Sequence, residues 1–209
     1  MIAIIDYGAS NLRSISKAIA KIGYRCKVTS SPREVLEADI VILPGVGAAG
    51  EAMHRLQEWD LREPIQQIAS ENRPLLSVCL GLQLLFASTE EGGEGCLDIL
   101  PGVVRKLPSG LKIPHMGWNQ VKQKISHPLF WGIEDNAYFY FVHSYYVEPQ
   151  DKSLIAGETD YGLSFSSVII KGNLVATQFH PEKSGQWGLK MLQNFLEFIG
   201  GVLKLVEIR

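Results

Sequence analysis

A thiol, an imidazole and a carboxylate occur in this chain where acyl-transfer chemistry would need them. Cys79 ends the apolar run Leu75-Leu76-Ser77-Val78 and precedes Leu80-Gly81-Leu82-Gln83-Leu84-Leu85. The first run reads as a buried strand and the second as a helix, so Cys79 falls on a sharp strand-to-helix turn, the layout of a nucleophile elbow. Such a turn lifts the side chain out of the packed layers. It also sets the sulfur beside a helix N-terminus, where the macrodipole favours thiolate over thiol. Far along the chain, Gln178-Phe179-His180-Pro181-Glu182 follows another strand-like run. Nucleophile, base and an acidic group to orient the base are then all available. Singly each has a bland explanation: an inert core cysteine, a structural histidine, a solvated glutamate. Together they carry more weight. Pro181 fixes the backbone between His180 and Glu182. In an extended stretch residues two apart point the same way, so the spacing predicts that Glu182 bends back onto the His180 ring.

Pro44-Gly45-Val46-Gly47 also follows a strand-like run. In isolation it is a plain turn. Beside an elbow, its glycines let backbone approach a ligand and aim an N–H at a developing oxyanion. The candidate donors are Gly45, Val46 and Gly47, with the N–H of Leu80 as second donor. Glycines flanking Val46 also make its peptide units easy to rotate. Gln83 lies one helical turn after Cys79 on the same face. It is as well explained by a substrate contact as by a polar position on a helix surface.

The elements that must hold these residues alternate in the first half. Residues 2–5, 24–29, 39–43 and 75–78 read as strands, and 12–22, 32–36 and 51–70 as helices, the last with a break near Asp60. Strand–helix alternation predicts a parallel sheet with helices on both faces, whose ligands bind at the carboxyl ends of the strands. The second half changes texture. Residues 92–117 are rich in Gly and Pro and read as loops with short strands, and 137–147 is an aromatic run. Residues 154–158, 166–171 and 174–179 read as strands, Lys171-Gly172-Asn173 as a hairpin turn, and 184–198 as a final helix. The expected fold is α/β: an open, mostly parallel sheet flanked by helices on both faces, with an antiparallel annex in the second half. One domain spanning residues 1–209 is the economical division.

Composition narrows the function classes. The 209 residues are 46% apolar with a net charge of −2, enough for a sizeable core. Lys and Arg are scattered, without the basic stripe that tracks a phosphate backbone, so no nucleic-acid partner is expected. Cys26, Cys79 and Cys96 form neither a disulfide framework nor a paired-cysteine zinc pattern, and a reducing compartment fits them. The apolar start Met1-Ile2-Ala3-Ile4-Ile5 lacks a basic lead and a cleavage site and reads as a first strand. No apolar run spans a bilayer. A cytoplasmic, membrane-free protein is expected.

The Cys79-Leu80-Gly81-Leu82-Gln83 elbow and the Phe179-His180-Pro181-Glu182 segment resemble, in order and separation, the two defining motifs of the class I (triad-type) glutamine amidotransferases. Within them, four stretches look like the glutaminase subunits of imidazole glycerol phosphate synthases. These are Asp6-Tyr7-Gly8-Ala9-Ser10-Asn11-Leu12, Ile113-Pro114-His115-Met116-Gly117-Trp118-Asn119, Tyr140-Phe141-Val142-His143-Ser144-Tyr145-Tyr146 and Glu182-Lys183-Ser184-Gly185. The resemblance runs nearly end to end. Two positions depart from it: Ser77 stands where the family elbow usually has glycine, and Ser10 where glycine usually precedes the N-terminal Asn.

The resemblance implies glutamine as substrate, with Cys79, His180 and Glu182 as triad and Gln83, Ser144 and Tyr145 as substrate contacts. It implies no metal and no organic cofactor. Ammonia would pass to a (β/α)₈-barrel cyclase, a heterodimer partner that makes imidazole glycerol phosphate and aminoimidazole carboxamide ribonucleotide in histidine biosynthesis. Asn11, Trp118, Asn119, Tyr138 and Lys183 would lie on the partner-facing side. Three rivals remain open: a glutaminase subunit for pyridoxal phosphate or anthranilate synthesis, a non-catalytic docking module of the same fold, and a cysteine peptidase on a related sheet.

Overall fold

The computed structural model describes residues 1–9, 11–93 and 95–201; Ser10, one of the two departures, lies outside them. The first half alternates strand and helix: β1 Ile2–Ile5, α1 Leu12–Lys21, β2 Cys26–Thr29, α2 Pro32–Glu37, β3 Ile40–Leu43, α3 Ala49–Glu58, α4 Arg62–Ser70, β4 Leu75–Val78 and α5 Leu80–Leu84. The second half is mostly strand: β5 Phe86–Thr89, β6 Leu100–Lys106, β7 His115–Gln123, β8 Ala137–His143, β9 Tyr145–Pro149, β10 Ile155–Asp160, β11 Ser164–Lys171 and β12 Leu174–Thr177, closed by α6 Gly185–Asn194.

Every residue of β1, β3 and β4 is buried, as expected of strands covered on both faces. Alternate side chains feed two cores. Ala3, Ile5, Val41, Leu43 and Leu75 pack with Val35, Met53, Leu56, Ile65 and Ile68 of α2 to α4. Ile2, Ile4, Ile40, Ile42, Leu76 and Val78 pack with Ile15, Ile19, Met191 and Leu192 of α1 and α6. The sheet order is β2-β1-β3-β4-β12-β11-β10-β7-β8, with β5, β6 and β9 joined to it through β11. Pairs from β2 to β12 are parallel, and the run β12 to β8 is antiparallel. The fold is thus the expected parallel sheet with an antiparallel annex. Register sets Val78 opposite Thr177, so Cys79 and Gln178 leave neighbouring strands side by side. Among the described residues, no helix is long and apolar enough to cross a membrane.

Some local expectations are corrected. The elbow helix α5 is only five residues long, so its dipole contributes little. Residues 137–147 are two strands parted at Ser144, because β8 pairs with β7 and β9 with β6. The Gly- and Pro-rich stretch contains β6, seven residues long. Residues 181–183 form a tight helical turn, not an extended stretch. Pro181, with fixed φ and no N–H, favours the first position of such a turn.

Candidate active site

Cys79 has φ 55° and ψ −107°, a conformation that costs a non-glycine residue of order 1–3 kcal/mol and persists only when its surroundings hold it. They do so here. The Cys79 N–H donates to Thr177 O at 2.7 Å. Gly81 lies so near β3 that a Cβ would collide with the Leu43 carbonyl oxygen. Ser77, small and fully buried, fits the strand just before the turn. The sulfur contacts Val142 O at 3.7 Å and accepts from Gln178 Nε2 at 3.7 Å.

Across from it, His180 Nδ1 meets Glu182 Oε1 at 2.8 Å, and both side chains are fully buried. Asn11 Nδ2 donates to the same Oε1 at 3.2 Å. The His180 backbone is anchored by its N–H to Tyr140 O at 2.9 Å and by Ser184 Oγ donating to its carbonyl at 2.6 Å. Nε2 of His180 has no hydrogen-bond partner, and the Cys79 sulfur bears on the ring electrostatically. Burial opposes a charge on this ring, but Cys79 and Glu182 together outweigh burial and push the His180 pKa up to about 10. The arrangement can hold a proton beside a nucleophilic sulfur and release it toward a leaving group.

Cys79 opens on a cavity of about 270 Å³, near the small end of ligand pockets. Val46, Gly47, Leu80 and Gln83 line it on the elbow side, and Ser144 and Tyr145 on the other. Leu80 is the first residue of α5, so its N–H has no carbonyl one turn earlier in that helix. Gly47 has φ 103° with open space around it. Gly45 is not on the cavity wall. A Cβ there would collide with Gly81 N, so its lack of side chain lets the loop close on the elbow. Both amide hydrogens of Gln83 are taken, by Tyr145 O at 2.9 Å and Gln178 Oε1 at 3.3 Å. Its Oε1 is therefore what it can offer a ligand, as an acceptor.

The residues expected on a partner face divide. Trp118 and Tyr138 are 56% and 52% exposed and share the outer face of the β7–β8 pair with Met116. Lys183 is exposed as well. Asn11 is not on that surface: it is 5% exposed, because its amide turns inward to Glu182. Asn119 is half-buried, donating to His115 Nε2 at 3.3 Å and Asp160 O at 2.8 Å.

Four contributions escaped the sequence reading. Glu91 lines the cavity, held by the Ala49 N–H at 2.8 Å from Oε2; in sequence it is the second of two acidic residues before a glycine pair. Tyr7, whose hydroxyl pKa is raised by burial and then by Cys79, donates to Pro44 O at 2.8 Å and ties down the glycine loop. Gln178 bridges Gln83 and the sulfur. His115 and His143 hydrogen-bond each other at 2.9 Å. All but Glu91 fall inside the quoted motifs, but only pairing distances assign them tasks.

Comparison with known proteins agrees with this geometry. The family described as "Glutamine amidotransferase class-I" matches residues 3–198. "Imidazole glycerol phosphate synthase subunit HisH" of Dehalococcoides mccartyi (strain CBDB1) is 54% identical over 202 residues, 96% of this chain and 98% of that protein. The protein of the same description from Moorella thermoacetica is 52% identical over 199 residues, 95% of each. Among solved structures, "Crystal structure of glutamine amidotransferase" superposes with TM-score 0.77 at 16% identity, over 97% of this chain and 100% of that one. "Structure of PurLQS from Thermotoga maritima" superposes with TM-score 0.77 at 16% identity, over 95% and 98%. The last two speak to fold alone.

Proposed function

The chain belongs to the class-I glutamine amidotransferase family, and on that premise we propose that it is the glutaminase subunit of an imidazole glycerol phosphate synthase. Glutamine enters the cavity with its side-chain amide at Cys79. The thiolate attacks the amide carbon, and the oxygen takes the negative charge. The Leu80 N–H and the Val46–Gly47 backbone are the donors for that oxyanion, a role worth several kcal/mol where such donors are preorganised. His180 gives its proton to the departing nitrogen, which leaves as ammonia, and a glutamyl thioester remains. Water then attacks the thioester with His180 as base, releasing glutamate and restoring the thiolate. Glu182 holds the ring in its tautomer and stabilises the imidazolium. Gln83, Ser144, Tyr145 and Glu91 bind glutamine, Glu91 offering a carboxylate to the α-ammonium group.

The observation that carries this reading is the strained Cys79 beside the buried His180–Glu182 pair. The ammonia goes to a (β/α)₈-barrel cyclase docked on the face bearing Met116, Trp118, Tyr138 and Lys183. Exposed aromatic residues suit such an anchor. A closed interface keeps ammonia from water, which would protonate it to non-nucleophilic ammonium. The similarity to imidazole glycerol phosphate synthase subunits supports histidine biosynthesis over pyridoxal phosphate or anthranilate synthesis, and the reaction would run in the cytoplasm by one domain.

Glutamate release is the test. The chain with a cyclase barrel should hydrolyse glutamine, Cys79→Ala should not, and a glutamine-analogue electrophile should label Cys79. No turnover by the complex, or turnover surviving Cys79→Ala, overturns the assignment. Capture of a cyclase barrel by this chain tests the partner separately.

A further inference from the structure

His115 and His143 are buried titratable groups that this mechanism does not use. They face one another across the β7–β8 ladder, where His115 pairs with His143 in register. Each ring nitrogen of the two has a partner: Asn119 Nδ2 at His115 Nε2, His115 Nδ1 at His143 Nε2, and His143 Nδ1 at Tyr145 O.

The direction of this chain is forced from both ends. Tyr145 O can only accept, so His143 Nδ1 carries the hydrogen and its Nε2 accepts. His115 Nδ1 must then donate, which leaves its Nε2 to accept from Asn119. At that end the amide is oriented independently: Asn119 Oδ1 accepts from Gln120 N at 2.8 Å and Nδ2 donates to Asp160 O at 2.8 Å. One pair of tautomers satisfies every link, and protonating either ring would set two donors against each other.

The chain ends on the cavity wall. Tyr145 O receives His143 Nδ1–H at 2.8 Å and Gln83 Nε2–H at 2.9 Å, which fills both its lone pairs. The second Gln83 hydrogen goes to Gln178 Oε1, and Gln178 Nε2 reaches the Cys79 sulfur. We propose that His115 and His143 are positioning residues of the cavity: through the Tyr145 carbonyl they fix the Gln83 side chain, its free Oε1 and the Gln178 amide that touches the nucleophile.

The inference rests on the reading of the cavity as a glutamine site, and the experiment separates the two. His143→Phe keeps a flat aromatic ring, somewhat larger than imidazole, and removes both hydrogen bonds. His143→Asn keeps one donor near the Nδ1 position for Tyr145 O. Glutamate release by the full chain with a cyclase barrel should show KM for glutamine raised about tenfold in His143→Phe, the scale of one lost buried hydrogen bond. His143→Asn should recover most of that loss. Nitrogen NMR of the unaltered chain needs no variant to fold: both rings should be neutral Nδ1–H tautomers near neutral pH. An Nε2–H tautomer or a protonated ring there overturns the inference. So does a folded His143→Phe with wild-type KM, or a His143→Asn no better than His143→Phe. Absence of turnover by the unaltered complex overturns the glutaminase reading instead, and the NMR signature still judges the chain of rings.

Discussion

His180 and the His115–His143 pair are buried alike, yet the first holds a positive charge and the pair stays neutral. The three are 0%, 3% and 5% exposed in that order. His180 is pushed up to about 10. Burial lowers His115 to about 4 and His143 to about 3, the latter also repelled by its histidine neighbours. The surroundings explain the split. His180 faces a carboxylate and a sulfur; the pair faces a carbonyl, an amide and each other. In a dry interior an imidazolium without a counter-charge is too costly to keep. Burial therefore makes a histidine a fixed, neutral hydrogen-bonding piece, and a buried carboxylate turns the same residue into a proton carrier.

Removing the carboxylate's charge is the most direct way to break this contrast. Glu182→Gln keeps the shape and should move His180 into the neutral class, lowering kcat for glutamine by about 10³- to 10⁴-fold. A fall of less than about tenfold by glutamate release would mean that something other than Glu182 sets His180 apart.

A second carboxylate sharpens it. Glu91 lines the cavity without touching either ring, so its charge should bind and not react. Glu91→Gln should raise KM for glutamine about tenfold or more, the worth of a charged hydrogen bond, with kcat held within about threefold. Loss confined to kcat would contradict that division.

The two classes of histidine also predict opposite dependences of stability on pH. His180 holds in the folded chain a proton that an unfolded histidine releases near its ordinary value of about 6.5. That contribution is whole below this value and is lost as pH rises through about 10. His115 and His143 refuse protons that the unfolded chain takes up. Their contribution is whole above about 6.5 and falls away as pH drops toward about 4 and about 3. Denaturant midpoints across pH should therefore fall on both flanks. His143→Asn should flatten the acid flank only, and Glu182→Gln should weaken the alkaline one.

How far the sequence could anticipate this depends on the kind of signal. The parallel half was legible because β1, β3 and β4 are continuous apolar runs separated by amphipathic helices. The second half was less so. The aromatic run gave no sign that Ser144 parts two strands with different neighbours, since both are equally apolar there. His180 and Glu182 are two apart, and their pairing could be anticipated even though the backbone between them coils and is not extended. Asn11, Glu91 and Gln178 lie far along the chain from what they touch. Long-range pairing carries no local signature, so nothing near Asn11 in the sequence turns it inward and nothing near Glu91 brings it to the cavity.

Asn11 offers the smallest and most discriminating change. Its amide donates to the Glu182 oxygen that His180 also uses, so it holds that oxygen in place without altering its charge. Asn11→Ala removes one hydrogen bond to a charged group, worth about 1.5–3 kcal/mol, of which the reacting ring feels only a part. If charge is what separates His180 from His143, kcat should fall only about three- to tenfold, KM should stay, and His180 should still titrate far above an ordinary histidine by NMR. If kcat instead falls as far as in Glu182→Gln while His180 keeps its raised pKa, the orientation of the ring outweighs its counter-charge. The contrast between the two buried histidine sites would then be one of geometry, with the charge difference a by-product.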